Sequence, residues 1–348
     1  MNIIKDDEII IYMKNLTRKD IAKAAGVSPS TVSRALAGSP LLPQATIERV
    51  AGIAAKLGYK PNILARRLAS NRSFQIAFAV ELWTGTRRGP IQMSYYSAIL
   101  DAMVSEAYKR NYSILVQPYT KDEESFVDHF SNLVETRHAD GIVFAGLTRK
   151  SRIPAELIER KIPFVVIGSN PERDGFVSVN EDPYPAMHEM FRILTEKKYK
   201  RIFFVGGDMN FYHAVAHKDA FMKALRKSSL KLAGVIDGDY SRRRGFSAAP
   251  EIILGKKKGD CVFFSNDRMA TGFYRYCYDN RISIPGEIGV IGSDDDESAL
   301  VVSPELSTIR QPRLEMGAAA VNLLIDQLEK KKTESVVIPN SFIARRSI

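Results

Sequence analysis

Cysteine and tryptophan are scarce in this sequence, which has two cysteines and one tryptophan among 348 residues. Cys261 and Cys277 are too few for a disulfide framework, which excludes the small cross-linked secreted domains. Unpaired thiols are typical of a reducing compartment. We therefore expect a cytoplasmic protein held together by an ordinary hydrophobic core.

Long apolar runs are also missing near the start of the chain. The longest, residues 9–13, is shorter than the core of a signal peptide or a membrane span, and acidic residues precede it. We expect no association with a membrane.

The sequence contains none of several common catalytic motifs. It has no GxGxxG, no GxxxxGK[ST], no HExxH and no GxSxG segment. We therefore expect that the protein is not an enzyme and that it has no cofactor and no metal site.

Positive charge is concentrated at the N-terminal end. Residues 1–73 hold 12 Lys and Arg against 5 Asp and Glu, whereas the other 275 residues hold 38 against 35. A basic excess confined to a short segment is typical of a module that contacts phosphates.

The same segment has the pattern of a helix-turn-helix. Apolar residues at helical spacing predict a helix over residues 18–25 that ends at Gly26. Ser28 is suited to cap a second helix, and Pro29 to its first position. A third helix is predicted over residues 43–57. In a helix-turn-helix that binds DNA, the second helix lies in the major groove.

Residues 62–70 combine features of a short helix that inserts into a minor groove. Asn62 is a suitable N-cap, Ala65 is small, and Leu68 is an apolar residue beside two arginines. A helix this short is unstable alone in water, so we expect it to form on DNA, with Leu68 as the wedge. The alternative is a plain linker.

The motifs AxxxGVSxxTVSRxL and GYxPNxxARxL together resemble the head and hinge of the LacI/GalR family of bacterial transcription regulators. The resemblance extends from about Leu16 to the C-terminus. It implies four segments, which are an N-terminal extension (1–16), a helix-turn-helix head (17–61), a hinge helix with linker (62–73) and an effector-binding and dimerisation domain (74–348).

From residue 74 onward, strand-like and helical patterns alternate, which predicts an α/β body with parallel sheets. The predicted strands are 75–80, 113–117, 141–144, 163–167, 201–205, 234–236, 261–264 and 289–291. The body is similar to periplasmic sugar-binding proteins, and the family implies two lobes joined by three crossings. The first lobe is expected at 74–176 and 308–332, and the second at 177–307 and 333–348. No leucine heptad tail follows.

Residues expected to touch DNA lie mainly on the second helix. Ser30 and Arg34 are suited to base edges, and Pro29 to a thymine methyl. For Arg34 the alternatives are a phosphate contact or a solvated face. Phosphate contacts are expected from Thr31, Ser33 and Thr46, and the resemblance adds Tyr59, Asn62, Ala65 and Leu68. Ala37 and Pro43 depart from the family pattern.

The resemblance places the effector site at strand ends of the body. Asp294 matches an aspartate that accepts hydrogen bonds from ligands, with a solvated loop or a metal site with Asp295 and Asp296 as alternatives. Asn266 matches a ligand contact or caps the next helix. The remaining candidates are the aromatic pair Tyr95 and Tyr96, of which one packs inside, and Phe246, whose alternative role is plain core.

His217 stands near a position where the family often has an arginine that binds the effector. His213 and His217 have a spacing that is compatible with zinc, although a satisfied surface or cleft histidine is favoured over a metal ligand. Arg87 and Arg88 either attract an anionic effector or face solvent.

We therefore expect a homodimeric repressor that binds a palindromic operator in double-stranded DNA. A small-molecule effector, a sugar or sugar derivative, would bind between the lobes and couple its own affinity to that of the operator. The alternative is a cytoplasmic solute-binding protein with no role in gene regulation.

Overall fold

The computed structural model describes residues 16–36, 41–59, 67, 70–81, 93–119, 122–169 and 175–348. The chain divides into two compact units, the head Met1–Arg72 and the body Ser73–Ile348. Within the described ranges, no helix combines the length and apolar character needed to cross a membrane.

The head contains three helices, α1 (Arg18–Ala25), α2 (Pro29–Leu36) and α3 (Gln44–Lys56), close to the predicted bounds. The Asp20 carboxylate accepts a hydrogen bond of 2.8 Å from the Thr17 backbone N–H at the start of α1. Gly26 ends this helix with φ +63°, a conformation that favours glycine. The Ser28 hydroxyl accepts from the Thr31 backbone N–H at 3.1 Å and caps α2.

The core of the head is made almost entirely of small and medium side chains. Each helix contributes two or three, and the buried set is Ile21, Ala22, Ala25, Val32, Ala35, Val50 and Ala54. Alanines at the contacts let the three helices approach closely, so a short segment still has a packed core.

The body contains two six-stranded sheets with the same strand order. The strands are β1 (Gln75–Glu81), β2 (Ser113–Tyr119), β3 (Gly141–Ala145), β4 (Phe164–Ile167), β5 (Ser178–Asp182), β6 (Arg201–Val205), β7 (Lys231–Ile236), β8 (Asp260–Phe264), β9 (Gly289–Asp294), β10 (Ser307–Arg310), β11 (Val336–Pro339) and β12 (Ser341–Ile343). The first sheet runs β11-β5-β4-β3-β1-β2 and the second β12-β10-β9-β8-β6-β7. All pairs are parallel except β10 with β12.

Helices cover both faces of each sheet, as parallel sheets require. In chain order they are α4 (Met93–Lys109), α5 (Glu123–Glu135), α6 (Ile153–Glu159), α7 (Tyr184–Glu196), α8 (Tyr212–Arg226), α9 (Arg242–Gly255), α10 (Asp267–Asp279), α11 (Ser298–Val301) and α12 (Arg313–Leu328). In the first sheet, α4 and α12 pack on one face, and α5 and α6 pack on the other. The second lies between α7 with α8 and α9 with α10.

The chain passes between the lobes three times, as expected, but the predicted lobe bounds were wrong by a few residues. β5 (178–182) belongs to the first sheet, so the first crossing follows Asp182 rather than residue 176. β10 (307–310) is still in the second sheet, and β11 (336–339) is in the first. The third crossing is at Asn340, whose backbone N–H donates to the carbonyl of Asp182 at 2.9 Å. The predicted bounds failed because β5 and β10 are largely polar strands.

Candidate DNA-reading face and interlobe cleft

Helix α2 presents a polar face outward because its apolar residues are directed into the head. Val32 and Ala35 are buried, whereas Pro29, Ser30 and Arg34 are exposed. A serine hydroxyl and a guanidinium on the outer face are the groups that hydrogen-bond base edges. The exposure of these three residues is compatible with the predicted base contacts.

The three residues predicted to contact phosphate are half-buried. The Thr31 hydroxyl shares a hydrogen bond of 2.9 Å with Ser28, and Arg18 Nη1 donates to the Ser33 hydroxyl at 2.8 Å. Thr46 lies in the first turn of α3. The sequence analysis missed Arg18, whose side chain joins α1 to α2.

Tyr59 packs partly against the core of the head. The other predicted DNA contacts, Asn62, Ala65 and Leu68, lie outside the described residues, as do residues 1–15, Ala37, Arg87 and Arg88. Roles assigned to them remain predictions from the sequence.

Asp294 lies at the carboxyl end of β9, facing the cleft between the lobes. Its Oδ1 accepts from Gln311 Nε2 at 3.0 Å, and its backbone carbonyl accepts from Arg313 Nη2 at 2.7 Å. Gln311 and Arg313 flank the second crossing, so Asp294 is joined to the segment that links the lobes. Asp294 also has φ +127°, an unusual conformation for a residue with a side chain.

Burial and the nearby Asp267 carboxylate raise the pKa of Asp294 well above its ordinary value, and Arg313 opposes this only in part. Asp267 lies behind it, fully buried, where its Oδ1 accepts from the Thr308 hydroxyl at 2.6 Å. Burial raises the pKa of Asp267 to about 7. The floor of the cleft therefore holds two carboxyl groups that each favour a proton.

The aspartates beside Asp294 are directed to other partners. Asp295 accepts from Arg310 at 2.6 Å and from Arg345 at 2.5 Å, and Asp296 accepts from the Ser298 backbone N–H at 2.8 Å. The three carboxylates therefore do not converge on one point. Over the described part of the chain, no three His, Cys, Asp or Glu side chains are grouped to hold a metal ion.

The adjacent tyrosines divide between the cleft and the core. Tyr96 is buried, with its ring edge-on to Phe78 at 6.2 Å in the core of the first lobe. Tyr95 lies edge-on to Tyr96 at 5.3 Å, near Glu181 and Asp294. Burial, followed by the charge of Glu181, raises the pKa of Tyr95. Tyr95 is thus the aromatic residue of this pair beside the predicted site.

His217 forms a hydrogen bond across the cleft. Its Nε2 lies 2.9 Å from Oε1 of Glu181, which is on β5 of the first lobe, while Asn340 Nδ2 donates to the other carboxylate oxygen at 2.7 Å. Burial opposes ionisation of Glu181, but the charge and hydrogen bond of His217 outweigh it and lower the Glu181 pKa. His217 is buried, and its partner is a carboxylate.

His213 pairs with an aromatic residue that the sequence analysis did not select. Its Nε2 lies 2.8 Å from the hydroxyl of Tyr240, and the two rings stack at 5.5 Å. Burial lowers the pKa of His213 to about 4, so the imidazole is neutral near pH 7, and its tautomer decides whether Nε2 donates to the Tyr240 hydroxyl or accepts from it.

Asn266 caps α10, as its alternative role predicted. Its Oδ1 accepts from the Met269 backbone N–H at 2.9 Å, and its Nδ2 donates to the Tyr240 carbonyl at 3.2 Å. Phe246, for which the cleft and plain core were the alternatives, stays a prediction. Its partly exposed ring lies edge-on to Tyr276 at 5.5 Å, between α9 and α10. Tyr240, which precedes the same helix, is hydrogen-bonded to His213 at the cleft.

The cleft therefore contains groups that sequence reasoning missed, namely Glu181, Tyr240, Gln311, Arg313 and Asn340. Glu181 lies near the end of β5, a strand with little apolar signal, whereas Asn340 follows the apolar strand β11. Tyr240 precedes α9, which begins at Arg242. The only available signal was position, because each of these residues ends a strand or begins a helix at the carboxyl edge of a parallel sheet.

Two family models match this chain. Residues 17–62 match the bacterial regulatory proteins of the lacI family, and residues 191–348 match the periplasmic binding protein-like domain. The first match covers α1 to α3, and the second covers most of the second lobe.

Similar proteins cover nearly the whole chain. Catabolite control protein A of Priestia megaterium is 26% identical over 328 residues, which are 93% of this chain and 96% of that protein. The ribose operon repressor of Escherichia coli strain K12 is 26% identical over 316 residues, 90% of this chain and 93% of the repressor.

A structure of the Lac repressor dimer bound to operator and the anti-inducer ONPF matches with a TM-score of 0.72 at 22% identity, covering 96% of this chain and 99% of that one. At this identity the match establishes the fold alone. Taken with the head motif and the named relatives, it leads to one conclusion. The chain belongs to the LacI/GalR family of bacterial transcription regulators.

Proposed function

We propose that this protein is a repressor that binds an inverted-repeat operator as a homodimer. A small molecule, a sugar or sugar derivative, would bind between the lobes and change the operator affinity. The proposal rests on two features that occur in one chain. Ser30 and Arg34 are exposed on the outer face of α2, and Asp294 lies in the cleft between the lobes.

The DNA-binding part of the proposal rests on α2 and the hinge. Arg34 is exposed near the end of a helix whose opposite face is anchored by Val32 and Ala35, so its guanidinium is held on a fixed support. For residues 62–70 the proposal rests on the sequence, in which Leu68 would enter the minor groove. Two such hinges side by side require two protomers.

The homodimer is supported by exposed apolar side chains on the edge strands β2 and β7 and on helices α4, α9 and α10. In the first lobe these are Val104 and Tyr108 on α4 and Val116 on the edge strand β2, with Tyr108 exposed by 82%. In the second lobe they are Leu232, Val235, Phe246, Leu254 and Tyr278, with Leu254 exposed by 91%. Exposed apolar side chains that form a contiguous patch are typical of surfaces that another protein covers.

The effector part rests on the chemistry of the cleft. The carboxyl of Asp294 and the amide of Gln311 offer hydrogen bonds to hydroxyl groups, and the ring of Tyr95 offers a flat apolar surface. Sugars present both hydroxyls and an apolar ring face. One relative is named for the ribose operon.

The coupling between ligand and DNA would follow from the contacts that join the lobes. The Glu181–His217 hydrogen bond holds one lobe orientation, and a ligand inserted near Tyr95 would favour or oppose that orientation. A ligand with different affinities for two orientations shifts their populations, and the operator responds reciprocally.

We also propose that the protein catalyses no reaction, in keeping with relatives that are transcription regulators. The alternative, a solute-binding protein without a role in gene regulation, accounts for the body but leaves the basic helix-turn-helix head without a purpose.

The proposal is tested by selecting duplexes from a random pool with the full-length protein and sequencing the bound fraction. We expect an inverted repeat to be enriched. Arg34→Ala should lose preference at one position of each half-site and about 1–3 kcal/mol of specific binding. Lys56→Ala, an exposed cation at the far end of α3, serves as the matched control. Failure of the wild-type protein to enrich any sequence would overturn the proposal.

A further inference from the structure

Three carboxyl groups lie at the interlobe cleft. Glu181 is on β5 of the first lobe, Asp294 ends β9 of the second, and Asp267 begins α10 behind it. Of these three, Glu181 alone is in an ion pair with another described residue, and its partner is the imidazole of His217. Arg313 is near Asp294, but its Nη2 donates to the backbone carbonyl. Within the described part of the chain, side chains therefore compensate these carboxyl charges only in part.

The charges of the carboxyl groups act on two tyrosine hydroxyls in the cleft. Burial raises the pKa of Tyr95, and the charge of Glu181 adds to the effect. Burial likewise raises the pKa of Tyr240, and the charge of Asp294 adds to it. Loss of a proton from either hydroxyl would place a negative charge where negative charge is already present. The electrostatic potential in this part of the cleft thus favours a cation.

The same two tyrosines offer aromatic surface beside the carboxyl groups. Tyr95 and Tyr240 are both half-buried, so part of each side chain is accessible. The ring of Tyr240 stacks on His213 at 5.5 Å, and that of Tyr95 lies edge-on to Tyr96 at 5.3 Å. The face of an aromatic ring attracts a cation electrostatically. Carboxyl groups and aromatic rings together are therefore suited to a positively charged ligand.

Two buried amide oxygens beside the carboxyl groups are without donors. Gln311 is 7% exposed and Asn340 is 4% exposed. The amide nitrogen of Gln311 donates to Asp294 at 3.0 Å, and that of Asn340 donates to Glu181 at 2.7 Å. No group of the described residues donates to Gln311 Oε1 or to Asn340 Oδ1. Because buried polar atoms in native proteins are nearly always paired, these oxygens indicate a ligand that supplies donors.

An ammonium group has the properties that this site requires. It carries three N–H donors, no acceptor and one positive charge, whereas a hydroxyl carries one donor and no charge. The amide of Gln311 is hydrogen-bonded to Asp294, so one ammonium group can donate to the carboxylate and to Gln311 Oε1 together. Charge-assisted hydrogen bonds of this kind are stronger than neutral ones.

We propose that the effector is an amino sugar, and that its protonated amine binds to the Asp294 carboxylate and to Gln311 Oε1. The inference rests on the proposed function, because it assumes that a sugar derivative binds between the lobes. The amine would bring a positive charge directly to Asp294, and the carboxyl group would then release its own proton to solvent. A neutral sugar would leave that charge uncompensated.

The test is isothermal titration calorimetry of the full-length protein at pH 6.5. The probes are glucosamine, galactosamine and 6-amino-6-deoxyglucose, in which one hydroxyl of glucose or galactose is replaced by an amine. Glucose, galactose and N-acetylglucosamine are the uncharged comparisons. We expect at least one amine to bind at least tenfold more tightly than its uncharged counterpart.

Asp294→Asn keeps the size of the side chain and removes its charge. It should weaken binding of that amine at least tenfold and abolish the preference over the uncharged sugar. Asp219→Asn, at an exposed position on α8, is the matched control and should bind as the wild type does. Circular dichroism checks the folding of both variants. The comparison of sugars with the wild-type protein needs no variant, so it decides even if Asp294→Asn fails to fold.

Binding of none of the three amines, or uncharged sugars bound as tightly as the amines, overturns the inference. An unchanged preference in a folded Asp294→Asn variant overturns it as well. The proposed function fails separately, if the wild-type protein selects no DNA sequence. Calorimetry and duplex selection thus distinguish the two failures.

Discussion

At the residue scale, the cleft is built from side chains that restrain one another. Gln311 holds Asp294, and Asn340 and His217 hold Glu181, so the two carboxyl groups have fixed positions before any ligand arrives. Gln311 and Asn340 both lie at crossings between the lobes. Movement of one lobe against the other would therefore change the same hydrogen bonds that position the ligand-binding groups.

Asp294→Ala should abolish the response to effector while operator binding is kept. The change removes the carboxyl group that would accept hydrogen bonds from ligand hydroxyls, but it alters nothing in the head. A thermal-shift screen against sugars, sugar phosphates and nucleobases identifies the effector, because a ligand that binds the folded state raises the melting temperature. Gel shifts with that ligand then compare variant and wild type. An unchanged response would place Asp294 outside the site.

Asp267 should make the stability of the body fall as pH rises. Its pKa is about 7 in the folded protein against an ordinary 3.8, so between these values the folded state holds a proton that the unfolded chain releases. The free energy of unfolding then decreases from about pH 4 to about pH 7 and levels off above, by on the order of a few kcal/mol.

Asp267→Asn should remove most of this dependence, because an amide does not ionise and its oxygen still accepts from Asp296 or Thr308. Denaturant unfolding at pH 5 and pH 8 measures the effect. The variant should gain stability relative to the wild type at the higher pH. If the free energies of unfolding of the variant and the wild type differ by the same amount at pH 5 and at pH 8, the raised pKa of Asp267 is contradicted.

At the element scale, helices α9 and α10 pack closely enough to need glycine. A Cβ on Gly272 would lie 2.0 Å from the Arg242 carbonyl oxygen, and one on Gly245 would lie 1.9 Å from that of Met269. Both contacts are with backbone, so the helices would have to move apart. Gly52, in the middle of α3, has open space around its Cβ direction.

The same substitution should therefore have opposite effects in the two helices. Gly272→Ala should destabilise the body by about 1–3 kcal/mol through overpacking. Gly52→Ala should stabilise the head by about 0.5–1 kcal/mol, because alanine loses less backbone entropy in a helix. Native-state hydrogen exchange separates the two units. A loss of stability in both variants would indicate that Gly52 is needed for a contact of its own.

The sequence predicted elements well wherever their apolar residues are regular, and it failed for the polar strands. β5 has the sequence SVNED, yet Ser178 and Asn180 are buried, because the Asn180 side chain accepts from the Ser169 backbone N–H at 2.7 Å and donates to Ser178 at 2.9 Å. In β10 the buried Thr308 is similarly paired with Asp267. Such strands are stabilised by partners distant in sequence, which hydrophobic periodicity does not detect.

The candidate site was predictable to the same extent. Asp294 and Asn266 lie at the ends of strands with strong apolar signals, and both were selected because they match ligand contacts of the family that the sequence resembles. The choice between Tyr95 and Tyr96 depends on how α4 is rotated about its axis, and the position of Tyr240 depends on where α9 begins. These are details of tertiary packing, so the sequence left the first open and did not identify Tyr240.

At the scale of the whole molecule, the central claim is that two copies of this chain read one symmetric operator. Each protomer carries one helix-turn-helix, and the proposed homodimer would cover the exposed apolar side chains of the body. Two heads held at a fixed separation bind two half-sites together, and the spacing of the half-sites reflects the symmetry of the protein.

The measurement that tests this most directly is mass photometry of the full-length protein on the selected duplex, beside a duplex that retains a single half-site. The account predicts two protomers per full operator and at least a hundredfold weaker binding to the half-site, which corresponds to about 2.7 kcal/mol. One protomer bound to either duplex with equal affinity would contradict it. In that case the exposed apolar side chains of the body would have to serve some other partner.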